Sequence, residues 1–211
     1  MTAKADIHLQ LLRILGKAER IESRWTQSAL LLRWSDTDRF VVFESTLKAH
    51  ALPLGETTER SGVQRTWLDE KLERYPGFVA VRRLSKRLTQ AMEERLLKYA
   101  ETVDRRAFGT LTPSVIRAMG EKRRIPFDAS SYLCSQLVAS AFDEIGLLVE
   151  TQATGAYGVA SYSPTDFSSQ RRNRVLLGYD LGVEIYLKGD EHEHMEFARS
   201  AHPRGRRIRR S

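Results

Sequence analysis

Phe127-Asp-Ala-Ser-Ser-Tyr-Leu-Cys-Ser-Gln-Leu-Val-Ala-Ser-Ala-Phe-Asp-Glu-Ile-Gly-Leu-Leu148 is the stretch whose reading decides the fold. Leu133, Leu137, Ala141, Ile145 and Leu148 recur at helical spacing, and Val138 and Phe142 widen the stripe. Apolar residues over so much of the circumference predict a helix buried at the centre of a domain. Ser131 is the expected N-cap and Gly146 the expected stop. This places Cys134, the one cysteine of the chain, at the third helical position. A lone thiol forms no intramolecular disulfide, which leaves two readings. It is a buried small hydrophobe, or a nucleophile whose thiolate is favoured by the positive end of the helix macrodipole.

Outward from this helix the pattern is mixed. Ala29-Leu-Leu-Leu32, Phe40-Val-Val-Phe43 and Phe78-Val-Ala-Val81 are short apolar runs bounded by charged or turn-forming residues, and read as buried strands. Ser35-Asp-Thr-Asp38 suits a hairpin loop between the first two. Leu47 to Arg65, with Pro53, Gly55 and Gly62, reads as a long loop ending in a short strand near Val63. Leu88, Met92, Leu96, Tyr99 and Val103 then mark a helix with Ser85 as N-cap, its stripe explained by core packing. Thr110 to Ile125 reads as a short helix and a loop, and Gly155 to Ser169 as loop. Arg174-Val-Leu-Leu-Gly178 and Val183-Glu-Ile-Tyr-Leu187 are the last strand candidates. Strands, then helices, then strands predict an α+β domain with an antiparallel sheet. The domain is expected over residues 1–190, followed by a polar and then arginine-rich tail over 191–211.

Composition narrows the function classes. The 211 residues are 41% hydrophobic and 29% charged, which fits a soluble globular protein. No apolar run reaches the roughly 18 residues that span a bilayer. The start lacks the apolar segment of a signal peptide, so the expected location is the cytoplasm, a particle, or a route of export that needs no signal peptide. The net charge is +7, and the last nine residues hold five arginines; without them the balance falls to +2. The basicity therefore belongs mostly to the tail, which is either a solubilising end or a contact for nucleic acid or another anionic surface.

A cysteine nucleophile needs a base, a group that orients the base, and donors for an oxyanion. The free N–H groups of the helix start supply the donors. Tyr132-Leu-Cys-Ser-Gln-Leu-Val-Ala-Ser-Ala-Phe-Asp-Glu-Ile-Gly-Leu147 resembles the cysteine motif of the permuted papain-like amidases, relatives of the NlpC/P60 hydrolases. In that family the histidine strand precedes the nucleophile helix. Ala5-Asp-Ile-His-Leu-Gln10, Trp25-Thr-Gln-Ser-Ala-Leu-Leu-Leu-Arg33 and Phe40-Val-Val-Phe-Glu-Ser-Thr46 resemble its first three strands in order. Val79-Ala-Val-Arg-Arg-Leu84 and Tyr162-Ser-Pro-Thr-Asp-Phe167 match secondary features, so the resemblance spans roughly residues 4–190.

The resemblance implies a permuted papain-like fold, an antiparallel sheet packed on a central helix that carries the cysteine. It assigns Cys134 as nucleophile and Glu44 as the residue that orients the base. Gln27 stands where the family has its histidine, and glutamine has no titratable nitrogen. Glu44 also has a plain reading, a carboxylate in an ion pair with an arginine. Among the histidines, His50 is the expected substitute base; His8 lies on the opening strand, and His192 and His194 form a weak metal-like pair in a polar tail. No cofactor or metal is expected. Two functions follow. One is a thiol amidase or peptidase of weak or absent activity on peptidoglycan peptides or acyl-lipid groups. The other is a non-catalytic module that keeps the fold, such as a phage virion component or an effector with protein partners.

Overall fold

The computed structural model describes residues 10–15, 25–34, 39–116, 127–148, 158–169 and 178–189. The hairpin loop at 35–38, the strand expected at 174–178 except its last residue, Gly178, together with His8, His192, His194 and the tail over 191–211, lie outside the described residues.

The chain is α+β. Strands β1 (Gln10–Leu15), β2 (Gln27–Trp34), β3 (Arg39–Thr46), β4 (Gly62–Trp67), β5 (Phe78–Arg83) and β8 (Ile185–Lys188) form one sheet in the order β4-β3-β2-β1-β5-β8. Every pairing in it is antiparallel. Two short strands, β6 (Ala107–Phe108) and β7 (Ser131–Tyr132), pair in parallel beside it. Among the described residues the helices that carry the core are α1 (Leu68–Arg74), α2 (Gln90–Val103) and α3 (Cys134–Glu144), and residues 113–116 are also helical.

Alternation along the strands sorts the core into two layers, because neighbouring side chains point to opposite faces. Leu30, Leu32, Phe43 and Val63 point to one face and pack with Leu96, Tyr99 and Val103 of α2 and Leu137, Val138 and Phe142 of α3. Ala29, Leu31, Val42, Val79 and Val81 point to the other and pack with Tyr75 and with Leu68 and Leu72 of α1. Each fully buried Leu, Val or Phe contributes about 1.5–3 kcal/mol. The cysteine helix thus lies against the middle of an antiparallel sheet, and α1 covers the reverse.

Helix α1 was absent from the sequence expectations. Five of its seven residues are charged, and its apolar pair Leu68 and Leu72 is too short a signal to register. So short a helix does not hold by itself. The Lys188 ammonium donates to the carbonyls of Leu72 (2.7 Å) and Tyr75 (2.5 Å) at its C-terminus.

Two expected caps are corrected. Thr89, not Ser85, caps α2 and accepts from the Met92 N–H. The Ser85 hydroxyl instead accepts from Asp180 N–H at 2.9 Å. Ser131 lies in β7, so the N-cap of α3 is Leu133 and Cys134 is the first helical residue, not the third. Leucine has no acceptor, and Gln136 Oε1 takes the Leu133 N–H at 3.0 Å instead. Gly146 ends the helix as expected, with φ +72° and its N–H on Asp143 O.

Candidate functional site

The start of α3 is fixed by the main chain before it. Gly109 N–H (2.8 Å) and the Ser45 hydroxyl (2.6 Å) both donate to the Tyr132 carbonyl. A Cβ on Gly109 would stand 2.8 Å from Leu133 N, so the close approach requires glycine. Ser135 Oγ donates to Tyr162 O at 2.7 Å and ties the first turn to the segment after the helix.

Cys134 is partly exposed as a residue, but its sulfur is crowded. Sγ lies 4.0 Å from the Thr26 carbonyl. Burial pushes the thiol above its ordinary range. The N–H groups of Ser28 and Ser135 and the Ser28 hydroxyl act in the opposite direction, and the charge of Glu44 adds to the rise. The helix start was expected to favour thiolate; here desolvation outweighs it.

Gln27 and Glu44 are brought together. Gln27 Nε2 donates to Glu44 Oε2 at 2.8 Å. Glu44 Oε1 accepts from Lys71 Nζ at 2.6 Å and from Gln64 Nε2 at 3.3 Å. Both charged side chains are fully buried. Lys71 also donates to the Ala49 carbonyl and lies 5.8 Å from the centre of the Tyr75 ring. Glu44 therefore has its ion pair, with a lysine of α1 rather than an arginine.

This cluster occupies the α1 face. Glu44 shares its side of β3 with Val42, and pairs directly with Gln64. Gln27 shares its side of β2 with Ala29 and Leu31. Ser28 and Ser45 have the parity of Leu30 and Phe43, on the face covered by α3. The structure thus assembles Gln27 with Glu44, and sets Cys134 on the opposite side of the sheet with Ser28 and Ser45. Sequence reasoning missed Lys71, Gln64, Ser28 and Ser45.

His50 belongs to the Glu44 side as well. Its ring meets Tyr75 edge-on at 5.2 Å between centroids, and its backbone has φ +56°. Burial, then the charges of Lys71 and Lys48, hold the imidazole below its ordinary range, against weaker pulls from Glu59 and Glu44. A histidine whose native pKa lies below its unfolded value of about 6.5 favours folding fully above that pH. The contribution fades as pH falls through the native value. Urea midpoints of the wild-type chain should therefore decline on going from pH 7 to pH 5. His50→Asn, which tolerates the left-handed backbone, should flatten that decline. Parallel slopes for the two chains would count against the assignment.

Among the described residues no group of three His, Cys, Asp or Glu side chains could hold a metal ion. No described helix is long and apolar enough to cross a membrane. No family model matches the chain, and no curated protein matches it.

Proposed function

We propose that this chain is a non-catalytic binding or structural module on a permuted papain-like frame, with Cys134 at a nucleophile position that lacks a working base. One observation carries the reading. Among the described residues, the Thr26 carbonyl lies 4.0 Å from the Cys134 sulfur, and the groups that act to lower the thiol belong to Ser28 and Ser135. Main-chain groups and hydroxyls do not accept a proton at neutral pH. Glu44, the remaining acid of the resemblance, is engaged by Lys71, Gln64 and Gln27. The permuted papain-like assignment itself rests on the resemblance, and is supported by an antiparallel sheet with the cysteine helix against its centre. A protein partner in a larger assembly, a virion or an effector complex, suits such a module. The arginine-rich tail adds a candidate anionic contact.

The amidase reading keeps one point in its favour, the N–H groups of the first α3 turn, which find no acceptor within a helix, beside the sulfur. Reactivity separates the two. Iodoacetamide labelling of Cys134, followed by mass spectrometry from pH 5 to 10, should rise only above about pH 8.5. Hydrolysis of peptidoglycan stem peptides and acyl esters should be the same for the wild-type chain and Cys134→Ser. Labelling that saturates near pH 6, or hydrolysis lost in Cys134→Ser, would sink the non-catalytic reading.

A further inference from the structure

We infer that Ser28 is the side chain through which the sheet controls the protonation of Cys134, so that position 28, and not Gln27, is the acid–base slot of this site. The inference deepens the preceding reading and rests on it for the idea that the slot is unfilled. Three observations place the slot. The β2–β3 register pairs Leu30 with Phe43, and continuing it sets Ser28 opposite Ser45 on the α3 face. Ser28 is fully buried, and its Oγ has no hydrogen-bond partner among the described residues. The carbonyl two residues earlier in the chain, on Thr26, lies 4.0 Å from the sulfur, which brings this end of β2 to the start of α3.

Each side of this notch has a defined role. Ser28 acts to lower the Cys134 thiol against the effect of burial, and so favours negative charge on the sulfur. It takes up no proton, so thiolate formation releases the Cys134 proton to water. An imidazole at position 28 would accept that proton on a ring nitrogen, leaving a thiolate–imidazolium pair and no other change in the balance. Ser45 stands beside the slot, but its hydroxyl is committed to the Tyr132 carbonyl at 2.6 Å. Gln27 is turned into the Glu44 cluster, its amide donating to Glu44 Oε2 at 2.8 Å.

The test is the pH profile of iodoacetamide labelling at Cys134 in the full chain. Ser28→Ala removes the donor and should slow labelling several-fold at pH 8.5, moving the profile to higher pH. Gln27→Ala should leave the profile in place. Ser28→His should raise the rate at pH 7 by at least about ten-fold, the net of more thiolate and its lower intrinsic nucleophilicity. Gln27→His should not. Ser28→Ala is close in size to serine and keeps the test decisive where the bulkier histidine does not fold. An effect from the Gln27 variants, or none from Ser28→Ala, overturns the assignment of the slot. Labelling of the wild-type chain near pH 6 would instead overturn the unactivated-thiol reading, while the contrast between Ser28→Ala and Gln27→Ala would still locate the slot.

Discussion

Lys71→Met should destabilise the chain by about 3–5 kcal/mol, the range for removing one partner of a buried ion pair. The Glu44 carboxylate would remain in a fully buried position, with two neutral amides as its remaining donors. The cost is that of the uncompensated charge, not the net worth of the pair. At a urea slope near ~2.5 kcal/mol/M, the midpoint should fall by roughly 1–2 M. Lys71 also fastens the Ala49 carbonyl, so the segment around Ala49 and Ala51 should become more accessible to proteases. Adding Glu44→Gln to Lys71→Met removes the stranded charge and should recover much of the loss. A single-variant effect below about 1 kcal/mol, or a double variant worse than the single, would contradict this account of the cluster.

Gly62→Ala should cost a similar amount by a different route. Gly62 opens β4 with φ +100°, and a Cβ built there stands 2.3 Å from the carbonyl oxygen of Arg106. Backbone cannot yield as a side-chain tip can. The same carbonyl accepts from Val63 N–H at 2.8 Å, and Arg105 N–H donates to Val63 O at 3.0 Å. Strain at such a φ costs about 1–3 kcal/mol, and two main-chain hydrogen bonds add about 1 kcal/mol each. The sum is about 3–5 kcal/mol. Amide exchange resolves the mechanism. Val63 and Arg105 should lose protection ahead of the strands at the middle of the sheet. Uniform loss across the sheet would mean that the clasp between β4 and the end of α2 is not the failing part.

The strand cores were legible because both faces of the sheet are covered. Ala29–Leu32, Phe40–Phe43 and Phe78–Val81 read as continuous apolar runs for that reason. The same property hid the geometry of the site. When Ala29 and Leu31 are as apolar as Leu30 and Leu32, alternation is silent, and nothing in β2 says whether Gln27 or its neighbour Ser28 looks toward α3. That question is settled by packing partners from distant parts of the chain, Leu68 and Leu72 on one side and Leu137 and Val138 on the other. The α3 stripe and its glycine stop were visible; its start was not. Ser131 has the chemistry of a cap, but pairing with Ala107 draws it into a strand. Lys71 carried no signal, since a lysine in a charged heptapeptide reads as solvated.

Arg82 sets an order on how the chain can be completed. The guanidinium is nearly buried, on β5, and its donors end on the carbonyls of Phe167, Leu181 and Gly182 at 2.6–2.8 Å. Those acceptors are made up to a hundred residues later, which at ribosomal speed is roughly 5–20 s. Until they emerge, the nascent sheet carries a cation that is better hydrated than enclosed, and a chain cut short before residue 167 has none of them. The fold therefore cannot close until residue 182 has been made, and the segment from Phe167 to Gly182 makes the early strands burial-competent.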